Sequence, residues 1–203
     1  MIRNDREYRD ARKLIEVIEN PGEDYKVRGY ASTFEPYLLW SDGQKEIYER
    51  IDPHAFDEAD MSDVIFLYNH EGMVYARQKN GTLNISTDEH GLFVEADLSS
   101  TAESRDLFES IKSGLIDQMS FAFTVKDDEF DRETNTRLIR QVGKVFDVSA
   151  VSIPANPGTD IAAVSARSYF DGVIEAERAE RLAREKALEL AKAKYNYMEV
   201  KHD

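Results

Sequence analysis

Apolar and polar positions alternate along most of this chain, and helical spacing interrupts the alternation in only three places. "ARKLIEVIEN" and "YKVRGYASTFEPY" read as two paired strands with "NPGED" as the turn between them, and "KEIYERI" reads as a third strand. Asp52 then stands as an N-cap before Pro53, which predicts a short helix over "DPHAFDEA". "DVIFLYNH", "MVYARQ", "TLNISTD" and "GLFVEADL" return to strand composition, with "KNG" and "DEHG" as turns, so a β-meander is expected in the middle of the chain.

The period changes again in "SSTAESRDLFESIKSG". Ser100 and Glu103 have capping-box spacing, Leu107, Phe108 and Ile111 share a helical face, and Gly114 is placed to close the helix. "DQMSFAFTV" and "KVFDVSAVSIPA" are strand-like, and the charged "KDDEFDRETNT" between them predicts an exposed loop or hairpin tip. Beyond "PANPGTDI", residues 170–198 are rich in Ala, Glu, Arg, Lys and Leu and predict a long helix with a thin apolar stripe of Ile174, Leu182, Leu188, Tyr195 and Met198.

Many strands with few helices predict a mainly β fold with helices (α+β). An antiparallel β-barrel is favoured over a sandwich, because closing a sheet removes its unpaired edges. The composition shift divides the chain into a barrel domain, 1–166, and a helical arm, 167–203.

Composition narrows the function. Of 203 residues, 41% are hydrophobic, enough for a core, and 26 Lys and Arg against 40 Asp and Glu give a net charge of -14. Such a surface repels nucleic acid and anionic lipid, so a protein substrate or partner is expected, with no nucleic acid and no membrane. Cysteine is absent, which removes disulfides, thiol nucleophiles and cysteine zinc sites and fits a reducing, intracellular setting. The N-terminus lacks an apolar core of signal-peptide length, and no stretch approaches a membrane span, so a soluble protein is expected.

In "DQMSFAFTV", Met119, Phe121, Phe123 and Val125 point one way and Ser120, Ala122 and Thr124 the other, so Ser120 is expected on a polar face. Such a serine is either an ordinary surface residue or a nucleophile, and a nucleophile needs a base within reach. The elbow G-x-S-x-G is absent. Of four histidines, His54, His90 and His202 lie in a helix start, a turn and a tail. His70 ends "DVIFLYNH" and is expected on a strand face with Val64, Phe66 and Tyr68, as either a packed rim histidine or a base. "NHE" lacks H-x-x-x-H spacing, so no zinc is expected. Asp147 places a carboxylate inside the apolar "KVFDVSAVSIPA", where it either orients the imidazole or pairs with Arg140 or Lys144.

With His70, Ser120 and Asp147 in that chain order, the sequence resembles the prohead (capsid-maturation) serine proteases of tailed bacteriophages, which are similar in fold to the herpesvirus assemblin proteases. The stretches that carry the resemblance are "VRGYASTFEPY", "ERIDPHAF", "NHE", "NGTLNISTDEHGLFVEADL", "IKSGLIDQMSFAF" and "VFDVSAVSIPANPGTDI", in order, over roughly residues 8–166. The family commonly has a small residue where His54 stands, and phage members often carry glutamate where Asp147 stands. A longer helical arm than usual follows the barrel.

The resemblance implies peptide-bond hydrolysis without a cofactor or metal: His70 as base, Ser120 as nucleophile, Asp147 as the orienting acceptor, and the N–H of Asn156 in "PANPGT" as oxyanion donor. It implies the major capsid protein and scaffold as substrates and partners, with cleavage of the protease itself. Self-association is compatible with this role, and the place of action is the procapsid interior, assembled in the bacterial cytoplasm. The rivals are a non-enzymatic barrel that binds capsid or scaffold, and a general cytoplasmic peptidase.

Overall fold

The computed structural model describes residues 6–11, 15–18, 25–41, 43–152 and, further on, 179, 182–184, 186 and 187. Up to residue 152 the described elements are β1 (Arg6–Ala11), β2 (Glu16–Val17), β3 (Lys26–Thr33), β4 (Tyr37–Ser41), β5 (Glu46–Ile51), β6 (Ile65–Tyr68), β7 (Glu71–Arg77), β8 (Leu83–Thr87), β9 (Gly91–Asp97), α1 (Ala102–Lys112), β10 (Gln118–Asp131) and β11 (Thr136–Val151). The chain divides into two compact units, Met1–Ala163 and Val164–Asp203. In the second, the six described residues are helical; the rest of the helix expected over 170–198, and the boundary expected at 166, lie outside the described residues.

β11 is the spine of a seven-stranded sheet. β10 runs antiparallel along one edge of it, from Gln118 opposite Val151 to Asp131 opposite Thr136. The other edge pairs in parallel, first with β5 (Thr136 opposite Tyr48) and then with β6 (Asp147 opposite Ile65). β1 lies outside β10, β4 outside β5 and β7 outside β6. A second sheet, antiparallel throughout, has the order β2-β3-β9-β8.

This is a mixed α/β architecture around a large open sheet, and it overturns the expected closed antiparallel barrel. Among the described residues no ladder joins β1 at one margin to β4 or β7 at the other, and two pairings on β11 are parallel. Period-two alternation marks strands and their faces but encodes neither the partner nor its direction, so it could not exclude an open sheet.

Local expectations are revised in the same way. The meander is two hairpins in different sheets, β6–β7 in the larger and β8–β9 in the smaller. "DPHAFDEA" forms successive turns rather than a helix, with Ala55 N–H bonded to Asp52 C=O (2.9 Å), Asp57 to His54 (3.2 Å) and Ala59 to Phe56 (3.1 Å), although Asp52 does accept from the His54 N–H (2.8 Å). The N-cap of α1 is Thr101, one residue later than expected, because its hydroxyl accepts from the Ser104 N–H at 3.0 Å. Most of "KDDEFDRETNT" is strand, leaving a short tip whose Asn135 takes φ +49°.

The core behaves as the alternation requires. Met119, Phe121 and Phe123 are fully buried, and the two phenyl rings stack at 4.4 Å. Each such side chain contributes about 1.5–3 kcal/mol through burial. Leu107, Phe108 and Ile111 form the buried face of α1, with Phe108 edge-on to Tyr25 at 5.2 Å.

Charged residues replace apolar ones at four inward positions. Glu7 and Arg9 of β1, Glu49 of β5 and Arg137 of β11 are all less than a tenth exposed. Arg9 pairs with Glu7 (2.5 Å) and Glu49 (2.9 Å), and Arg137 with Glu7 (2.7 Å), Glu49 (2.9 Å) and Asp128 (2.7 Å), while the Tyr37 hydroxyl donates to Glu49. Burial pushes the Glu7 carboxyl up, but the hydrogen bond from Arg137 and the charges of Arg9 and Arg137 outweigh it and bring it from 4.5 to about 2.

Candidate active site

β10 places Met119, Phe121, Phe123 and Val125 in the core, as its alternation predicts. The opposite face is not wet, which corrects the expectation for Ser120. Ser120, Ala122 and Ser149 have no exposed surface, and Asp147 has 2%. The register sets Ser120 opposite Ser149 and Ala122 opposite Asp147, so the hydroxyls and the carboxylate share one face of neighbouring strands. β1 flanks the same stretch, with Asp10 opposite Ser120 and Tyr8 opposite Ala122.

His70 is not on a strand face. β6 ends at Tyr68 and β7 begins at Glu71, which pair with each other, so Asn69 and His70 are the two central residues of a tight hairpin turn. Both have positive φ, +52° and +61°, as a type I′ turn demands. Asparagine tolerates this region, but histidine adopts it at a cost of about 1–3 kcal/mol, so the surroundings must hold it. Asn69 provides that hold: its N–H donates to the Ala150 carbonyl (3.0 Å), and its side-chain oxygen accepts from the Ser152 N–H (3.0 Å). The turn is thereby pinned to the end of β11, two strands from β1.

The imidazole joins the two strands. Its Nδ1 lies 2.5 Å from Asp147 Oδ1 and its Nε2 2.7 Å from Ser120 Oγ. An ionised carboxylate only accepts, so the neutral ring carries its proton on Nδ1 and turns the Nε2 lone pair to Ser120. The Ser149 hydroxyl donates to the same Asp147 oxygen at 3.0 Å and sits 3.2 Å from Nδ1. The Tyr8 ring stands edge-on to the imidazole at 4.7 Å. The Ser120 hydroxyl also has a second acceptor, the Arg9 carbonyl, at 2.9 Å. With His70 16% exposed at its side chain and its partners buried, the group is sheltered but reachable through the ring.

Such an arrangement can draw a proton from a hydroxyl and store the resulting imidazolium against a carboxylate. The structure thus brings together the three side chains singled out in the sequence. Asp147 does not form the alternative ion pairs: Arg140 pairs with Asp127 and Glu129, and Lys144 with Asp60. His54 is exposed beside Asp57, and His90 is exposed beside Glu89. Asn156 and His202 lie outside the described residues.

Sequence reasoning missed Ser149, Tyr8 and Asn69. Ser149 was accessible to it, since a residue two positions from Asp147 on a strand must share its face. Among the described residues no cluster of three or more His, Asp or Glu could hold a metal ion, and no helix is long and apolar enough to cross a membrane.

A prohead protease of Escherichia phage T5 is 27% identical over 96 residues, which are 47% of this chain and 43% of that protein, so the chain matches less than half the length of this curated relative. No solved structure matches significantly. Residues 13–171 match the caudovirus prohead serine protease family, a span that takes in the His70 turn, β10 and β11 together. By that match over most of its length, the chain belongs to the caudovirus prohead serine protease family.

Proposed function

We propose that this protein is a serine endopeptidase of capsid maturation, with Ser120 as nucleophile, His70 as general base and Asp147 as the acceptor that orients the imidazole. The observation that carries this reading is the unbroken chain Asp147–His70–Ser120, at 2.5 and 2.7 Å, in a protein of a serine protease family. Ser120 Oγ attacks the scissile carbonyl carbon as its proton passes to His70 Nε2. The tetrahedral intermediate collapses, the C–N bond breaks, and the leaving amine takes the proton from Nε2. Water then repeats the sequence on the acyl-enzyme and restores the hydroxyl. Asp147 stabilises the imidazolium, and the Ser149 hydroxyl fixes the carboxylate in turn. The Asn156 N–H is the proposed donor to the oxyanion, and no cofactor enters any step.

The proposed substrates are the scaffold protein or the scaffold-like segment of the major capsid protein, and the protease itself, within the procapsid. The family and the name of the T5 relative support this reading, and so does the net charge of -14, which disfavours nucleic acid. The test is co-expression of the protein with its phage's capsid and scaffold proteins, followed by intact mass. Wild type is expected to remove a terminal segment, whereas Ser120→Ala, with activity lower by at least about 10⁴-fold, leaves them whole. Processing by the Ser120→Ala protein would show that the nucleophile lies elsewhere, and none by wild type that the open sheet only binds capsid or scaffold protein.

A further inference from the structure

The surroundings of Ser120 pose a problem that the mechanism does not solve. A nucleophile must come within about 3–3.5 Å of the carbonyl carbon it attacks. Yet Ser120 has no exposed surface. It also has a single proton and two acceptors, His70 Nε2 at 2.7 Å and the Arg9 carbonyl at 2.9 Å. A proton given to Arg9 is withheld from the base. β1 contributes to both obstacles, because the Arg9 carbonyl that lies against Ser120 Oγ belongs to it and the neighbouring Tyr8 places its ring edge-on against His70.

The position of β1 is also telling. Its ladder runs along the edge of β10 that carries Ser120, from Arg6 opposite Thr124 to Ala11 opposite Met119. Among the described residues it is one of the marginal strands of its sheet. The ligand that fits such an edge is an extended peptide adding as a strand. We propose that β1 is a resident blocking strand, which fills the β10 edge where an extended peptide substrate would pair and must leave before Ser120 reacts. This rests on the catalytic reading of His70, Ser120 and Asp147 given above.

The way β1 is held suits release. Of its side chains Arg6, Glu7, Tyr8 and Arg9, three are charged, and the two buried ones are fixed chiefly through ion pairs, the Arg9 guanidinium also lying over the Phe123 ring at 5.7 Å. Buried ion pairs repay little more than their own desolvation, so they give geometry without a large net hold. The partners left behind are not stranded. Glu49 keeps Arg137 at 2.9 Å and the Tyr37 hydroxyl, and Arg137 keeps Asp128 at 2.7 Å.

A disulfide can test this without deleting anything. The chain has no cysteine, so the double variant Arg6→Cys/Thr124→Cys can form one bridge only, across a directly opposed pair of β1 and β10. Ser120 is then challenged with a fluorophosphonate: the Oγ–P bond forms, fluoride leaves, and the proton goes to His70. Labelling is followed by intact mass, with Ser120→Ala as control. The oxidised form is expected to react at least about tenfold more slowly than the reduced form, because the bridge removes the open population. Equal rates for oxidised and reduced protein would overturn the blocking strand while leaving the catalytic reading intact. Labelling absent from every form, or persisting in Ser120→Ala, would overturn the catalytic reading and the blocking strand with it.

Discussion

Two buried polar clusters lie on opposite faces of the β1–β10 pair, and they are built to opposite ends. On one face, Ser120, His70, Asp147 and Ser149 are linked by hydrogen bonds in which a neutral imidazole stands between a hydroxyl and a carboxylate. On the other, Arg9 and Arg137 lock Glu7 and Glu49 from both sides. Guanidinium does not give up its proton at any ordinary pH, and these carboxylates are held ionised, so no proton is transferred within the second cluster. The first sets an imidazole between a hydroxyl and a carboxylate, where a proton can pass from the hydroxyl to the ring. Burial and dense hydrogen bonding are common to both; a transferable proton is found only in one.

The contrast can be attacked from either face. Asp147→Asn leaves a hydrogen-bonding group of the same size but favours the wrong imidazole tautomer, so kcat should fall by about 10³–10⁴-fold. The urea midpoint should move little, and a large loss of stability would mean that Asp147 belongs to the structural kind of cluster. Glu49→Ala should do the reverse. It leaves two buried guanidiniums short of a partner and should cost about 3–5 kcal/mol in urea unfolding. The smallest expected effect is the acid response of Glu7. Its carboxyl is depressed from 4.5 to about 2, so its stabilising share is complete above pH 4.5 and is lost as pH falls toward 2. At pH 3 wild type should have lost about 2 kcal/mol more than Glu7→Gln, relative to pH 6, by urea midpoints.

The same contrast explains what the sequence could disclose. "DQMSFAF" gave a strand and its two faces, because period two needs only local information, and a hydroxyl, an imidazole and a carboxylate in a family-like order pointed to His70, Ser120 and Asp147. β1 was illegible: "REYRDA" has no apolar alternation, and its inward residues are Glu7 and Arg9, whose partners Glu49 and Arg137 are about forty and well over a hundred residues away. The burial of Ser120 was hidden for the same reason, since β1 supplies part of the cover. The open sheet was misread as a barrel because β5 and β6 pair in parallel with β11, a choice made by tertiary packing rather than by any residue pattern. The I′ turn escaped notice because Asn-His stands where Asn-Gly is the usual signature.

That turn carries an evolutionary corollary. An imidazole mounted on a two-residue corner has no slack, because one residue added or removed between Tyr68 and Glu71 would swing the ring out of line with both strands at once. Insertions and deletions are therefore steered away from the β6–β7 corner and into segments whose length is free to vary.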